Sequence, residues 1–281
     1  MNLQLDGKVV WITGASGGIG RELARAFGSA GCSLLLSAHS RLAELQARTA
    51  EEPFADRALC VAADVTDPEA CERAAAAGVE RFGRLDVCIA NAGAWTPGDH
   101  GLHELEPERL RQSVAVNLLG SAFTVRAFMG QLERNGPHAS GDGAAVVLIG
   151  STAGRFGERG HSDYSMAKAG LIGLMQSVKN ELPELDPWAR INTLEPGWTV
   201  TEMAREALSD DGAVRRALST MALRQLGAAR DVAGTAVGLA SPALSRHVTG
   251  QVVTVAGGME GRQLWDPESL DVERARQRSA P

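Results

Sequence analysis

Short, continuously apolar segments alternate along this chain with longer alanine-rich segments of helical character. VVWIT at 9–13, SLLLSA at 33–38 and AAVVLIGS at 144–151 are three of the apolar segments. A strand that is apolar on both faces must be covered on both faces, which is typical of a parallel sheet between two layers of helices. The alternation therefore predicts an α/β fold of the doubly wound kind, with about seven parallel strands and helices on both faces.

The expected elements follow one another with no internal repeat and no linker between them. The seven expected strands cover residues 9–13, 33–38, 58–65, 85–93, 144–151, 189–197 and 251–258. The expected helices between them include 18–31, 68–83, 107–133 and 162–182. We therefore predict one domain over residues 1–261, followed at 262–281 by a polar, charged tail that is partly disordered.

Charge and composition argue against several classes of protein. The formal net charge is −6 in 281 residues, whereas nucleic-acid-binding domains usually carry a basic surface. The four cysteines are scattered without a CxxC pair, and His100 and His103 have no further ligands beside them, so we expect neither a metal site nor a disulfide framework. The N-terminal residues lack the pattern of a signal peptide, and no apolar run reaches the length of a transmembrane helix. We expect a cytoplasmic protein with buried free thiols that binds neither nucleic acid nor membrane.

A glycine-rich loop, TGASGGIG at 13–20, lies where the first strand gives way to the first helix. Glycine lets the backbone approach a ligand closely, and the N-terminus of a helix offers free N–H groups and a partial positive charge. In this position the loop is typical of a pyrophosphate-binding site, although a tight structural turn also requires glycine.

The segment YSMAK at 164–168 holds the only tyrosine of the chain, four residues before one of its three lysines. Residues four apart lie on the same face of a helix. An ammonium group beside a phenol favours the phenolate and lowers the pKa of the tyrosine. The pair is therefore expected to supply an acid or base that works near neutral pH.

Taken in order, these and further motifs resemble the short-chain dehydrogenase/reductase family over roughly residues 5–260. The motifs that carry the resemblance are TGASGGIG at 13–20, Asp64-Val65, ANAGA at 90–94, VNLLG at 116–120, LIGS at 148–151, YSMAK at 164–168 and EPGWTVTEM at 195–203. The resemblance implies a Rossmann fold. It also implies hydride transfer between a nicotinamide cofactor and a small-molecule carbonyl or secondary alcohol.

The resemblance implies a catalytic role for four residues: Asn117, Ser151, Tyr164 and Lys168. Tyr164 would act as general acid or base, with its pKa lowered by Lys168, which would also bind the nicotinamide ribose. Ser151 would donate a hydrogen bond to the substrate oxygen. Asn117 would hold a water molecule that links Lys168 to solvent.

The expected cofactor contacts are spread over six segments of the chain. They are Gly14, Ser16, Gly17, Gly18, Ile19, Gly20, His39, Arg41, Asp64, Val65, Asn91, Ala92, Gly93, Tyr164, Lys168, Pro196, Gly197, Thr199 and Thr201. The expected substrate pocket comprises Trp95, Ser151, Phe156, His161 and Trp198. For Trp95 and Trp198 a place in the core is an equally good interpretation.

The end of the second strand bears on the choice between NADP and NAD. In NAD-binding members of the family an aspartate stands where this chain has Ala38, and that acid repels a 2′-phosphate. His39, Ser40 and Arg41 follow, and these side chains can receive a phosphate. Gly17 stands where many NADP-binding members carry Arg or Lys, which points the other way. On balance we expect NADP(H) to be favoured over NAD(H).

Two other functions remain open at this point, and so does the assembly. A catalytically silent nucleotide sensor could share the fold, although such proteins usually lose the tyrosine or lysine. A methyltransferase also uses a glycine loop on an α/β sheet, but it gives no reason for YSMAK. By resemblance we expect a homo-oligomer, a tetramer or dimer, formed through AKAGLIGL at 167–174 and the last strand. Residues 202–225 are expected to form a lid.

Overall fold

Seven parallel strands form the central sheet of the computed structural model, which describes residues 2–279, apart from the side chains of residues 206, 207 and 279. The strands of the described chain are β1 Val9–Thr13, β2 Ser33–Ala38, β3 Ala58–Ala62, β4 Val87–Ala90, β5 Ala145–Ile149, β6 Arg190–Pro196, β7 Thr199–Val200, β8 Gly227–Ala228 and β9 Val252–Val255. The order in the sheet is β3-β2-β1-β4-β5-β6-β9, and β7 pairs with β8 in a separate parallel ribbon. The predicted doubly wound Rossmann fold is confirmed, and its order reverses between β1 and β4, where such folds bind ligands.

Helices cover both faces of the sheet. They are α1 Gly18–Ser29, α2 Leu42–Thr49, α3 Pro68–Phe82, α4 Pro107–Val114, α5 Gly120–Asn135, α6 Thr152–Phe156, α7 Ser162–Leu185, α8 Arg205–Ser209, α9 Asp211–Ser219, α10 Ala229–Ala240, α11 Pro242–Ser245 and α12 Val272–Ser279. On β1, Val10 and Ile12 face the core beneath α1 and α10, whereas Val9 and Trp11 face the core beneath α3, α5 and α7. The strand β1 is therefore buried on both sides, which explains its apolar sequence.

Several strands end earlier than the sequence predicts, and for β3 and β4 the side chains that follow the strand explain the early end. We expected β3 to run to residue 65, but it ends at Ala62, and the Asp64 carboxylate then accepts hydrogen bonds from the backbone and hydroxyl of Thr66. We expected β4 to run to residue 93, but it ends at Ala90, where the Asn91 side chain bonds to another loop. In both places a short polar side chain competes with the strand ladder.

The longest helical stretch, Pro107–Asn135, consists of α4, one π-helical turn at Ala115–Leu119 and α5. By length and composition it could cross a membrane, contrary to our expectation that no segment could. In the fold it packs against α3 and α7, and its residues Val125 and Phe128 are buried. This is the position of a core helix, whose apolar composition follows from its burial.

The C-terminal segment, which we expected to be a polar and partly disordered tail, packs against the rest of the fold. Leu270, Val272 and Ala275 are buried against Val214 and Leu218 of α9, forming a small third core. The Arg276 side chain adds hydrogen bonds to the Leu208 carbonyl and an ion pair with Asp211 at 2.8 Å. The segment that follows the sheet therefore packs against the predicted lid, 202–225, in which α8 and α9 lie.

The four cysteines are free thiols, three of them buried and Cys60 partly exposed. Burial raises the pKa of Cys32 to about 12 and that of Cys71 to about 11, so both stay protonated and unreactive near neutral pH. Over residues 2–279, no group of three or more His, Cys, Asp or Glu side chains is close enough to hold a metal ion.

Candidate active site

The glycine loop has the shape of a phosphate cradle. Gly14 has a φ of +63°, and a Cβ on it would lie 2.8 Å from the Cα of Ala92. A Cβ on Gly20 would lie 2.3 Å from the Gly14 carbonyl oxygen. Gly17 is the N-cap residue of α1, and within the described chain no side chain caps this helix and its first turn holds no acidic residue. The N–H groups of the first turn are therefore left for an anion, which is what a dinucleotide pyrophosphate requires.

The end of β4 is tied to this loop by four hydrogen bonds. The Asn91 amide donates to the Thr13 carbonyl at 2.8 Å and to the Gly14 carbonyl at 3.2 Å. The Thr13 hydroxyl in turn accepts from the backbone N–H groups of Asn91 and Ala92, both at 3.0 Å. These bonds fix the floor of the site at the point where the strand order reverses.

Asn117 lies fully buried on the π-helical turn, a feature that is frequent at functional sites. Its side-chain carbonyl accepts from the Ala94 N–H at 3.0 Å, and its amide donates to the Ala94 carbonyl at 2.9 Å and to the Ser113 carbonyl at 3.1 Å. A Cβ on Gly93 would lie 2.9 Å from the Asn117 Oδ1 and 3.3 Å from the Lys168 Nζ. Glycine at 93 thus allows the loop after β4 to lie directly against both side chains.

Ser151 and Tyr164 meet at the carboxyl end of β5. The Ser151 hydroxyl lies close enough to the Tyr164 phenol to influence its pKa, and it accepts a hydrogen bond from the Ala153 N–H at 3.1 Å as the N-cap of α6. Burial raises the pKa of Tyr164 to about 12, although Ser151 acts in the opposite direction. The tyrosine is therefore held in its protonated form, which suits it to donate a proton.

Lys168 does not act on Tyr164 in the way that the spacing predicted. Its ammonium group donates to the Ile149 carbonyl at 2.8 Å and lies 5.7 Å from the centre of the Tyr164 ring. Burial lowers the pKa of Lys168 to about 8. The pKa of Tyr164 is therefore raised and not lowered as we expected, because desolvation of the phenolate outweighs the other influences on it.

Two of the predicted substrate-pocket residues lie beside Tyr164. The Trp95 ring stacks on His161 with centroids 3.7 Å apart and meets the Tyr164 ring edge-on at 4.9 Å. His161 is buried, and its Nε2 has no hydrogen-bond partner in the part of the chain that the structure describes. Trp95 and His161 therefore form an aromatic wall with one unused polar atom.

Phe156 and Trp198 lie away from that wall. Phe156 is 43% exposed and lines a separate cavity of about 420 Å³ with Arg155, Thr254 and Met259. Trp198 is partly buried against the small core shared by the lid and the C-terminal segment, so the core interpretation applies to it.

The remaining expected cofactor contacts lie at the ends of β2, β3 and β6 and just before the lid. The His39 imidazole lies 3.5 Å from the Asp64 carboxylate, across the ends of β2 and β3. A Cβ on Gly18 would lie 3.0 Å from the Thr201 methyl group, so the start of the lid lies on the first turn of α1. The Thr199 hydroxyl donates to the Gly197 carbonyl at 3.0 Å, beyond Pro196 at the end of β6.

A buried ion pair that sequence reasoning missed holds the loop after Trp95. The Arg109 Nε donates to the Asp163 carboxylate at 3.1 Å, and both side chains are largely buried. The rest of the guanidinium group donates to the carbonyls of three consecutive residues, Gly98 at 2.9 Å, Pro97 at 3.3 Å and Thr96 at 3.3 Å. Since Asp163 precedes Tyr164, this arginine fastens the Trp95 loop to the helix that carries the tyrosine.

We expect Arg109→Met to lower the free energy of unfolding by about 3–5 kcal/mol, because it leaves the Asp163 carboxylate buried without a counter-charge. Urea denaturation would measure the change. Arg111→Met is the matched control, since Arg111 lies on the same helix with its side chain 73% exposed. Adding Asp163→Asn to Arg109→Met should recover part of the loss. Equal stability of the Arg109 and Arg111 variants would contradict this account of the loop.

Comparison with known proteins agrees with the geometry of the site. A family model described as enoyl-(acyl carrier protein) reductase matches residues 14–260. The chain belongs to the short-chain dehydrogenase/reductase family. It is 36% identical over 258 residues to an L-rhamnose 1-dehydrogenase (NAD(P)(+)) from Azotobacter vinelandii, covering 90% of this chain and 96% of that protein. It is 34% identical over 257 residues to a Sphingomonas enzyme of the same name, covering 91% and 97%.

A solved structure of the family agrees in fold. The short-chain dehydrogenase/reductase described as a glucose/ribitol dehydrogenase from Brucella melitensis superposes with a TM-score of 0.81 at 26% identity, covering 92% of this chain and 99% of that one. This member of the short-chain dehydrogenase/reductase family is accordingly an NAD(P)-dependent oxidoreductase. Neither the silent nucleotide sensor nor the methyltransferase finds support among these relatives.

Proposed function

We propose that this oxidoreductase acts on a sugar, oxidising an aldose at the carbon that bears the anomeric hydroxyl, with NADP favoured over NAD. The placement of Ser151 beside Tyr164 at the end of β5 carries the proposal for the chemistry. The similarity to two L-rhamnose 1-dehydrogenases along nearly their whole length supports the substrate class. The partly exposed Trp95 ring beside Tyr164 suits a ligand with C–H surfaces.

Two side chains handle the proton at the reacting oxygen. The Ser151 hydroxyl orients the substrate oxygen by a hydrogen bond. Tyr164 gives a proton to that oxygen in reduction and takes one from it in oxidation. In this geometry the phenol is held protonated, so reduction starts from the form that the site favours, while oxidation first requires loss of the phenolic proton. The Lys168 ammonium group donates a hydrogen bond to the Ile149 carbonyl and lies close to the loop after β4. We propose that it binds the ribose hydroxyls and relays protons past Asn117.

The residues present fit a nicotinamide dinucleotide. The cradle of Gly14, Gly18 and Gly20, which Cβ atoms would fill, supports binding of the pyrophosphate, with Ser16, Gly17 and Ile19 completing the loop. We propose that Asp64 and Val65 contact the adenine and that residues 91–93 lie under the ribose. Pro196, Gly197, Thr199 and Thr201 would hold the nicotinamide end. The bound cofactor supplies the hydride acceptor or donor.

The preference for NADP is proposed from the end of β2. Ala38, His39 and Ser40 offer no carboxylate to a 2′-phosphate, and Arg41 offers a charge. The names of the two relatives give NAD(P)(+), which is consistent with use of both cofactors.

We also propose a cytoplasmic homo-oligomer, a dimer or tetramer. Support comes from β9, an edge strand of the sheet whose valines are only half-buried. An unpaired apolar edge favours pairing with a second chain. Sedimentation as a monomer at micromolar concentration would contradict this part of the proposal.

The test is a panel of L-rhamnose, other aldoses, hydroxysteroids and simple secondary alcohols, each offered with NADP⁺ and with NAD⁺. We expect an aldose to give the highest kcat/KM and NADP⁺ to be the better acceptor. Turnover confined to a non-sugar alcohol would contradict the substrate class while leaving the oxidoreductase assignment intact. A clear preference for NAD⁺ would contradict the proposed role of His39 and Arg41.

A further inference from the structure

One carboxylate joins two arginines above the glycine loop. Glu202 lies 3.1 Å from the Arg21 guanidinium through one oxygen and 3.3 Å from the Arg41 guanidinium through the other. Arg21 belongs to the first turns of α1, Arg41 precedes α2, and Glu202 begins the lid. Three separate segments are thus bridged by a single acidic side chain. All three side chains remain partly exposed, between 29% and 45%, so a ligand in solution can compete for them.

The position of this carboxylate matters because β2 ends without an acid. In dinucleotide-binding folds an acid near this strand end holds the ribose hydroxyls, whereas an arginine there accommodates a 2′-phosphate. Here the strand end provides the arginine, and the lid provides the acid that neutralises it. Thr201, which precedes Glu202, lies on Gly18 at the first turn of α1, so the bridge spans the mouth of the cofactor cradle.

The two arginines hold the pKa of Glu202 below its usual value, with Arg21 the larger influence. The carboxylate is therefore charged near neutral pH and occupies both cations. A 2′-phosphate carries a charge of the same sign as this carboxylate and needs the same guanidinium groups. A cofactor with a free 2′-hydroxyl makes no such demand.

We propose that Glu202 sets the discrimination between NADP and NAD by competing with the 2′-phosphate for Arg41 and Arg21. The proposal rests on the proposed dinucleotide site. It explains how a chain with a phosphate-receiving strand end retains use of both cofactors, since the lid withholds part of the positive charge. Removing the carboxylate frees the arginines and sharpens the preference for NADP.

Binding of two nucleotides that differ only in the 2′-phosphate tests the proposal without turnover. Isothermal titration of the full-length protein with 2′,5′-ADP and with 5′-AMP would compare wild type with Glu202→Gln, which keeps the shape of the side chain and removes its charge. We expect Glu202→Gln to tighten 2′,5′-ADP by about three- to fivefold, since one exposed charge contact contributes up to about 1 kcal/mol. The affinity for 5′-AMP should stay within about twofold.

Two further variants complete the design. Arg41→Met should weaken 2′,5′-ADP and leave 5′-AMP unchanged. Glu72→Gln is the control, because Glu72 is about as exposed as Glu202 and makes an ion pair with Arg126 on the helices of the opposite face. It should change neither affinity.

The outcomes separate the two levels of the argument. An equal effect of Glu202→Gln on both nucleotides, or no effect on either, overturns the role of Glu202 while the dinucleotide site stands. Failure of wild type to bind either nucleotide overturns the dinucleotide site and this inference with it.

Discussion

Tyr164→Phe is expected to lower kcat by about 10²–10⁴-fold in either direction of the reaction, the range over which a positioned acid or base contributes. The loss follows from the geometry, since the phenolic hydroxyl is the group that meets Ser151 at the end of β5. Initial rates with saturating cofactor and substrate would measure it. Phenylalanine retains the ring that packs edge-on against Trp95, so the fold and the affinity for cofactor should be preserved.

Met166→Leu provides the control for Tyr164→Phe. Met166 lies on the same helix, and its side chain is 53% exposed and has no role in the proposed chemistry. Its variant should keep the wild-type kcat. If Tyr164→Phe retained more than about a tenth of the wild-type kcat, Tyr164 would not be the acid or base of the reaction.

Lys168→Met is expected to lower kcat by about 100-fold or more and at the same time to stabilise the fold. Burial lowers the pKa of the lysine from 10.5 to about 8. At neutral pH the folded protein therefore holds a buried charge that destabilises it. A shift of this size corresponds to roughly 3 kcal/mol, part of which the lost hydrogen bond to the Ile149 carbonyl offsets. We therefore expect the variant to be more stable by roughly 1–2 kcal/mol below pH 8.

The pH dependence of that difference distinguishes burial of a charge from other causes. Below pH 8 the lysine is charged in both states and the penalty is fully present. Between pH 8 and 10.5 the unfolded chain binds the proton while the folded chain does not, so the stability of the wild type rises. The raised pKa of Tyr164 lowers the stability of the fold between about pH 10 and pH 12, but it does so equally in wild type and in Lys168→Met.

Urea denaturation below pH 8 and near 10.5 would measure the gap between Lys168→Met and wild type, which should shrink at the higher pH. Lys179→Met is the matched control, because Lys179 lies on the same helix and is partly exposed. It should show no gain in stability. A Lys168 variant that is less stable than wild type at both pH values would contradict the buried-charge account.

The sheet could be predicted from the sequence because each strand carries its own signal. Val9–Thr13 is buried at every position and apolar at all but the last, and only a strand covered on both faces requires that. The ends of β3 and β4 could not be placed, because the hydrogen bonds of Asp64 and Asn91 that end them involve side chains and distant carbonyls. The two-residue strands β7 and β8 are too short to leave any period in the sequence.

The residues of the candidate site also fall into two groups, those that the sequence reveals and those that only the fold reveals. Tyr164 and Lys168 are four residues apart and Gly14 to Gly20 are contiguous, so local spacing reveals them. The Arg109–Asp163 pair joins residues 54 positions apart, and only the fold brings them together.

The direction of the Tyr164 pKa shift was predicted wrongly, since spacing reports the neighbouring lysine but not the loss of solvent around the phenol. The buried face of α12 was detectable, because Val272 and Ala275 are three residues apart on one side of a polar helix.

Transfer of isotope from substrate to cofactor tests the central claim most directly. L-rhamnose, other aldoses and secondary alcohols that carry deuterium on the carbon to be oxidised would be incubated with the protein and NADP⁺ or NAD⁺. Mass spectrometry would then follow the nicotinamide. We predict that the reduced cofactor carries the deuterium of at least one substrate, and that Tyr164→Phe suppresses the transfer. Tight binding of the cofactor without any transfer across the panel would contradict hydride transfer at this site and favour a nucleotide-binding protein without turnover.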